Sequence, residues 1–345
     1  MDFMPDYSRQ LSLDSMNESK QHAIIQSKVL IFGAGGLGVT AISYLAGAGV
    51  GTISVADYDR IEASNLHRQT IYQVSDIGLL KAQVAATYIK QRNPNCDAVA
   101  ITEHMDLPTL YKLCEQHDVI LDCTDDRAFS YLLNSICMVS GTKAIFANAV
   151  KLEGQLFILD PDIQQPCFKC LWPDSQSSTE TCSQLGVLGP VPAILGCLQA
   201  LEAIKIVTGQ LSHLSQHLLH CDFVSYEFQK LRVPKAESCN HKLIFTDLER
   251  EFDIYQMHKI PKIDDLTLGQ DLVIDIRSLG EVNMQPVAVS THHIEAQILA
   301  ANPDNFLDRQ QQYLLLCASG KRSQMLCDNL KSLGYQVAPC RIDPH

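Results

Sequence analysis

The chain has 345 residues, 46% of them hydrophobic, enough for one large core and a smaller second one. A formal charge of −12 argues against a nucleic-acid binder working through a broad basic surface, so a phosphate ligand must meet positive charge locally. No apolar run reads as a bilayer span, and MDFMPDYSRQ has neither a basic start nor an apolar signal core, so no membrane is expected and the chain is expected to be cytoplasmic. Its thirteen cysteines then favour thiol chemistry and metal binding over a disulfide framework.

In chain order, Tyr7-Ser8-Arg9-Gln10 is a polar stretch that by itself reads as a solvated surface turn or short helix. Val29 to Phe32 is a short apolar run followed at once by Gly33-Ala34-Gly35-Gly36-Leu37-Gly38, a small-residue helical segment and Thr52 to Asp57. Strand, glycine turn, helix, strand and terminal carboxylate is a nucleotide-binding pattern. Gly33, Gly35, Gly36 and Gly38 let the backbone approach phosphates, and Asp57 can accept from ribose hydroxyls. Read alone, the pattern points to a nicotinamide or flavin dinucleotide.

A donor-rich stretch, Asn65-Leu66-His67-Arg68-Gln69, comes next, then a helical segment with Lys81 in its first turn, where a lysine opposes the helix dipole. Strands around Ala98 to Thr102 and Asp118 to Asp122 follow, the second running into Cys123-Thr124-Asp125-Asp126 at the strand's carboxyl end, where open α/β sheets bind ligands. Beyond Asn148 the spacing is too short for a helical crossover, so the fold class is a Rossmann-like, mostly parallel α/β sheet with an antiparallel extension. Cys167-x-x-Cys170 is half of a zinc site, and Cys239 and His241 are the nearest later candidates for the other half, although Cys-x-His is an unusual pairing of ligands.

Tyr7 to Gln10, Gly33 to Gly38, Asp57 with Asn65 and Arg68-Gln69, Lys81, Leu121 to Asp125, and Cys167-x-x-Cys170 occur in the order seen in the MoeB/ThiF family, which this chain resembles over about residues 5 to 242. The resemblance implies ATP in place of a dinucleotide, and adenylation of the C-terminal glycine of a ubiquitin-fold sulfur-carrier protein ending in Gly-Gly. It assigns Asp57 to the ribose, Asn65, Arg68 and Lys81 to the phosphate region, Asp125 to Mg2+ and Arg9 to the phosphates of a neighbouring subunit in a homodimer. Where relatives continue with Asn, this chain has Asp126. Cys182 lies where some relatives carry a cysteine that links covalently to the carrier; a zinc ligand is its other possible role.

The last hundred residues read as a second unit. Asp271 to Arg277 is a buried strand ending in charge, and Tyr313 to Leu316 is another, running into Cys317-Ala318-Ser319-Gly320-Lys321-Arg322-Ser323 and a helix from about Gln324 to Leu333. Loop N–H groups together with Lys321 and Arg322 are expected to stabilise an anionic sulfur on Cys317. Cys317, Gly320, Lys321, Arg322 and Ser323 resemble the persulfide loop of rhodanese-type sulfurtransferases, and Asp275-Ile276-Arg277 resembles their early Asp-x-Arg strand, although the usual closing turn and helix are lacking.

The organisation expected is therefore an adenylyltransferase domain over 1–242, a linker over 243–262 and a C-terminally short, small α/β rhodanese-like domain over 263–345. Fusion of the two implies activation of the carrier as an acyl-adenylate, followed by sulfur transfer from a Cys317 persulfide that a donor such as a cysteine desulfurase would charge. The alternatives are a non-catalytic scaffold for ubiquitin-fold proteins and a tRNA-modifying adenylating relative.

Overall fold

Residues 5–161, 165–173, 186–237, 239–263, 266, 272–287, 289 and 291–342 are described by a computed structural model. The chain divides into two compact units between Glu249 and Arg250. In the first, helices α1 (Ser8–Leu11) and α2 (Glu18–Gln26) precede an alternation of β1 (Lys28–Phe32), α3 (Gly36–Ala48), β2 (Thr52–Ala56), α4 (Lys81–Arg92), β3 (Asp97–Ile101), α5 (Leu107–Glu115), β4 (Val119–Asp122), α6 (Arg127–Ser140) and β5 (Lys143–Val150). These five strands are parallel, in the order β3-β2-β1-β4-β5. Val29 to Phe32 are all buried, the continuous apolar run that a strand covered on both faces requires.

The antiparallel extension follows as β6 (Glu153–Leu159), then β7 (His217–Asp222) and β8 (Glu227–Arg232), with α7 (Phe168–Leu171) and α8 (Pro190–Val207) between β6 and β7. One expectation is corrected here, because α8 has 18 residues and a mean hydropathy of 1.5, long and apolar enough by composition to cross a membrane. It is instead a core helix. Leu195, Gly196, Ala200 and Ala203 are buried, and α8 packs so closely along α3 that a Cβ at Gly196 would overlap the Leu37 carbonyl oxygen. Buried Gln199 and Glu202 add polar groups that a lipid-facing helix carries only at a cost.

Helix α9 (Phe245–Lys259) occupies most of the stretch expected as a linker. The second unit continues with β9 (Leu272–Asp275), α10 (Leu279–Met284), β10 (Thr291–His293), α11 (Ala296–Ala301), β11 (Gln312–Cys317), α12 (Lys321–Ser332) and β12 (Gln336–Arg341). Its four strands are parallel in the order β10-β9-β11-β12. Ile274, Leu299, Leu315, Leu326 and Leu330 build the core on one face, and Ile263, Val273, Leu316 and Cys340 a smaller one. Helix α12 starts at Lys321, three residues before the start read from the sequence, so the loop after Cys317 is only a tight turn.

Two glycines decide the geometry between β1 and α3. Gly33 has φ +88°, and a Cβ there would sit 2.8 Å from the carbonyl oxygen of Cys123 at the end of β4; a Cβ at Gly38 would overlap the Gly33 carbonyl oxygen. Gly35 is different, since its Cβ would meet nothing nearer than Gln69 Nε2 at 3.8 Å. Gly38→Ala is therefore expected to destabilise the first unit by about 2 kcal/mol or more, and Gly35→Ala by under about 1 kcal/mol, in parallel thermal melts.

Candidate functional site

The turn after β1 is held by a carboxylate. Ala34 N–H donates to Asp57 Oδ2 at 2.7 Å, Asp59 N–H donates to Asp57 Oδ1 at 2.9 Å, and the Tyr72 hydroxyl donates to the Ala34 carbonyl at 2.9 Å. Burial pushes the Asp57 carboxyl above the usual carboxylate range, against the opposing pull of the Lys81 charge and the two N–H groups. Each oxygen keeps a second lone-pair direction, so Asp57 can still accept from a ribose.

Lys81 opens α4, and no acidic residue follows it in the first turn. Its ammonium, on a side chain only 9% exposed, bonds Asp59 Oδ2 at 2.9 Å. Asn65 is buried and caps a short turn by accepting the Glu62 N–H at 3.1 Å. Arg68 Nη1 donates to the Ser64 carbonyl at 3.0 Å and lies 2.7 Å from His67 Nε2. Arg9 is exposed on α1, which Tyr7 anchors by packing its ring against Gly49.

At the end of β4, Asp125 is exposed, while Asp126 serves as the N-cap of α6 and accepts the Phe129 N–H at 3.2 Å. The carboxylate in place of the family's Asn thus has a structural duty. Asp122, read from the sequence as the end of its strand, is assigned no role there. It is 2% exposed and accepts from the Thr124 hydroxyl at 2.7 Å, the Thr124 N–H at 3.1 Å and the Ser130 hydroxyl at 2.5 Å, fixing the loop that carries Asp125. Behind it, Gln199 of α8 donates to the carbonyls of Asp122 at 2.8 Å and Ile145 at 3.0 Å. Only the position of Asp122 at a strand's carboxyl end signalled it.

Cys167, Cys170, Cys239 and His241 come together, with their ligand atoms all within 4.8 Å of one another. Cys167 Sγ lies 3.8 Å from Cys170 Sγ and 3.4 Å from Cys239 Sγ, and Cys170 Sγ lies 3.0 Å from His241 Nε2. A tetrahedral zinc with sulfur ligands at ~2.3 Å needs sulfurs ~3.8 Å apart, so the donor set fits that ion. The unusual Cys-x-His spacing works because Asn240 turns the chain, accepting the Lys242 N–H at 2.9 Å. The hydrogen bond from Cys239 draws the Cys167 thiol well below the usual thiol range, and Cys239 beside it is driven up. Asn134 and Tyr131 of α6 hold α7 by bonding the Phe168 N–H at 2.9 Å and the Trp172 carbonyl at 2.6 Å. Cys182 lies outside the described residues.

In the second unit, Cys317 is fully buried at the end of β11. Its Sγ receives the Gly320 N–H at 3.1 Å and the Ser323 N–H at 3.3 Å, and Ser323 Oγ lies at 3.4 Å. Both cations expected beside the sulfur also have carboxylate partners. Lys321 Nζ pairs with Asp253 at 3.3 Å, and Arg322 makes a two-pronged pair with Glu281, whose carboxyl falls to about 2 through that bond. Beneath the loop, Arg277 and Asp275, at most 1% exposed, form a buried pair whose Nη2 to Oδ2 distance is 2.6 Å. Removing one partner of such a pair costs about 3–5 kcal/mol.

An Asp57-braced glycine turn at the carboxyl edge of one parallel sheet and a cysteine cradled by N–H groups at a strand's carboxyl end in another give each unit its own candidate site. The model of the ThiF family matches residues 7–241, and the chain belongs to that family. The sulfur carrier protein ThiS adenylyltransferase of Escherichia coli (strain K12) is 41% identical over 238 residues, 69% of this chain and 94% of the relative. Adenylyltransferase and sulfurtransferase MOCS3 of Drosophila grimshawi is 32% identical over 356 residues, 94% of this chain and 79% of the relative. The adenylyltransferase and sulfurtransferase uba4 of Ogataea parapolymorpha is 31% identical, covering 96% of this chain and 92% of its own. Among solved structures, E. coli MccB with MccA-N7isoASN shares the fold, with a TM-score of 0.57 at 21% identity over 64% of this chain and 68% of that one.

Burial raises the Asp122 carboxyl from 3.8 to about 6, against the Ser130 and Thr124 hydrogen bonds. A raised carboxyl stabilises the fold in its protonated form, so this contribution is complete below pH 3.8 and is lost as pH rises through about 6. Asp122→Asn should flatten the pH dependence of stability across that window, an effect on the order of 2–3 kcal/mol read from thermal melts at stepped pH.

Proposed function

We propose that the first unit adenylates the C-terminal glycine of a ubiquitin-fold sulfur-carrier protein ending in Gly-Gly, and that the second supplies sulfur from a persulfide on Cys317 to give the carrier thiocarboxylate. The chain is thus an adenylyltransferase with sulfurtransferase activity. The observation that carries this reading is the pairing, in one polypeptide, of the Asp57-braced glycine turn beside Lys81 with a cysteine sulfur that two loop N–H groups address.

ATP binds with its ribose on Asp57 and its phosphates over Gly33 to Gly38, where Asn65, Arg68 and Lys81, with Arg9 of a second copy in a homodimer, meet the developing charge. Asp125 would hold Mg2+, which when bound neutralises phosphate charge. A carrier carboxylate oxygen attacks the α-phosphorus, the bond to the bridging oxygen breaks and pyrophosphate leaves. The terminal sulfur of the Cys317 persulfide then attacks the acyl carbon, AMP departs and an acyl disulfide forms. A second thiol, assigned to Cys182, attacks Cys317 Sγ, releasing the thiocarboxylate and leaving a disulfide. Restoring the persulfide requires reduction and a donor of the cysteine desulfurase class.

Cys167, Cys170, Cys239 and His241 would hold zinc, which when bound would clamp the segment after β8 to α7. A cytoplasmic setting suits a chain whose twelve described cysteines are all unpaired.

Incubation with ATP and a carrier ending in Gly-Gly should yield carrier thiocarboxylate by mass spectrometry. Cys317→Ala should retain the adenylate and lose the thiocarboxylate, whereas Lys81→Ala should slow adenylate formation by roughly 100-fold or more. Absence of carrier adenylate from the intact protein would refute the first half of the reading, and an undiminished thiocarboxylate yield from Cys317→Ala the second. Elemental analysis should find one zinc per chain, and Cys239→Ser should lower both metal content and melting temperature.

A further inference from the structure

Asp59 has no task in the reaction just described, yet three of its atoms hold the two residues that matter most there. Its N–H donates to Asp57 Oδ1 at 2.9 Å, its carbonyl accepts the Lys81 N–H at 3.0 Å, and its Oδ2 meets Lys81 Nζ at 2.9 Å. One residue therefore sets the spacing between the carboxylate assigned to ribose and the ammonium assigned to phosphate.

The ammonium needs this partner. Lys81 is the first residue of α4, so its charge lies at the positive end of the helix dipole, and the N-cap, Leu80, offers no side-chain acceptor. Its side chain is 9% exposed, and among the described residues Asp59 is the one carboxylate within ion-pair distance. The exposures are unequal. The Asp59 side chain is 75% exposed, so water and salt damp its charge toward an incoming phosphate, while its hold on Lys81 stays geometric.

We propose that Asp59 is a positioning residue for Lys81, holding the ammonium beside Asp57 so that the triphosphate meets an ordered cation in place of a mobile one. This rests on the reading of Lys81 as a phosphate-binding residue. Asp59 orders the chain on both sides of the nucleotide site and touches none of the reacting atoms. Its net effect on ATP affinity is favourable despite its negative charge, because an unordered lysine would lose side-chain freedom on binding.

The test is a double-mutant cycle on the full chain, with Mg·ATP as the probe in calorimetric titrations and a thermal melt of every variant. Asp59→Asn should weaken Mg·ATP binding about 5–10-fold, and Asp59→Ala further, because Asn keeps an acceptor for the ammonium. In a Lys81→Ala background, Asp59→Asn should change affinity by less than about 2-fold, because the ammonium it positions is gone, with the melts showing that every variant is folded. Unchanged or tighter binding by Asp59→Asn overturns the proposal, as does an equal loss of affinity in both backgrounds. Failure of the underlying reading looks different: Lys81→Ala would then bind Mg·ATP as the unmodified chain does, and Asp59 would have no phosphate lysine to position.

Discussion

The hydrogen bond from Ala34 N–H to the Asp57 carboxylate joins the end of β2 to the turn after β1, and the nucleotide site is arranged around it. Gly33 enters the turn at a positive φ, which leaves the next N–H directed away from the β1 ladder; an unmet buried donor there would cost about 1–3 kcal/mol. Asp57 meets it with a charged acceptor, and Tyr72 takes the carbonyl of the same residue. The backbone of the glycine turn is thus fixed by side chains on neighbouring segments.

The two units place their candidate site residues alike, at the carboxyl ends of parallel strands, and both hold nearby cations with local partners. In the first, Lys81 is tethered by Asp59 and Arg68 by the Ser64 carbonyl. In the second, Lys321 and Arg322 are matched by Asp253 and Glu281, which leaves the oriented N–H groups of Gly320 and Ser323 to face the sulfur. Backbone dipoles stabilise a compact anion without the flexibility of a long side chain.

What was legible in the sequence follows from range. The strand, glycine turn, helix and carboxylate of residues 29 to 57 are contiguous, so their spacing reports their geometry, and Lys81 at a helix start is an equally local feature. The roles of Asp126 and Asp122 were harder to see. Capping and burial depend on where α6 begins and on what Ser130 does one helical turn later. The partners of Lys321 and Arg322 lie 68 and 41 residues upstream, beyond any local pattern. Helix α8 was misjudged as lacking span length because its apolar residues are interrupted by Gln199, Glu202 and Lys205; those polar residues find partners inside the fold.

The meeting of Cys167 with Cys239 also bears on how the first unit comes apart. The two sulfurs are 72 residues apart in sequence, and between them lie α8, β7 and the edge strand β8, whose side chains are all exposed. An edge strand with so little buried surface is a natural place for fraying to begin. Closing the intervening chain into a loop limits how far a frayed β8 can travel and keeps it near the β7 edge. A metal ion held by both sulfurs would turn that contact into a cross-link and restrain the loop. With such an ion the four-residue cluster would be a clasp on the exposed edge strand, far along the chain from the glycine turn.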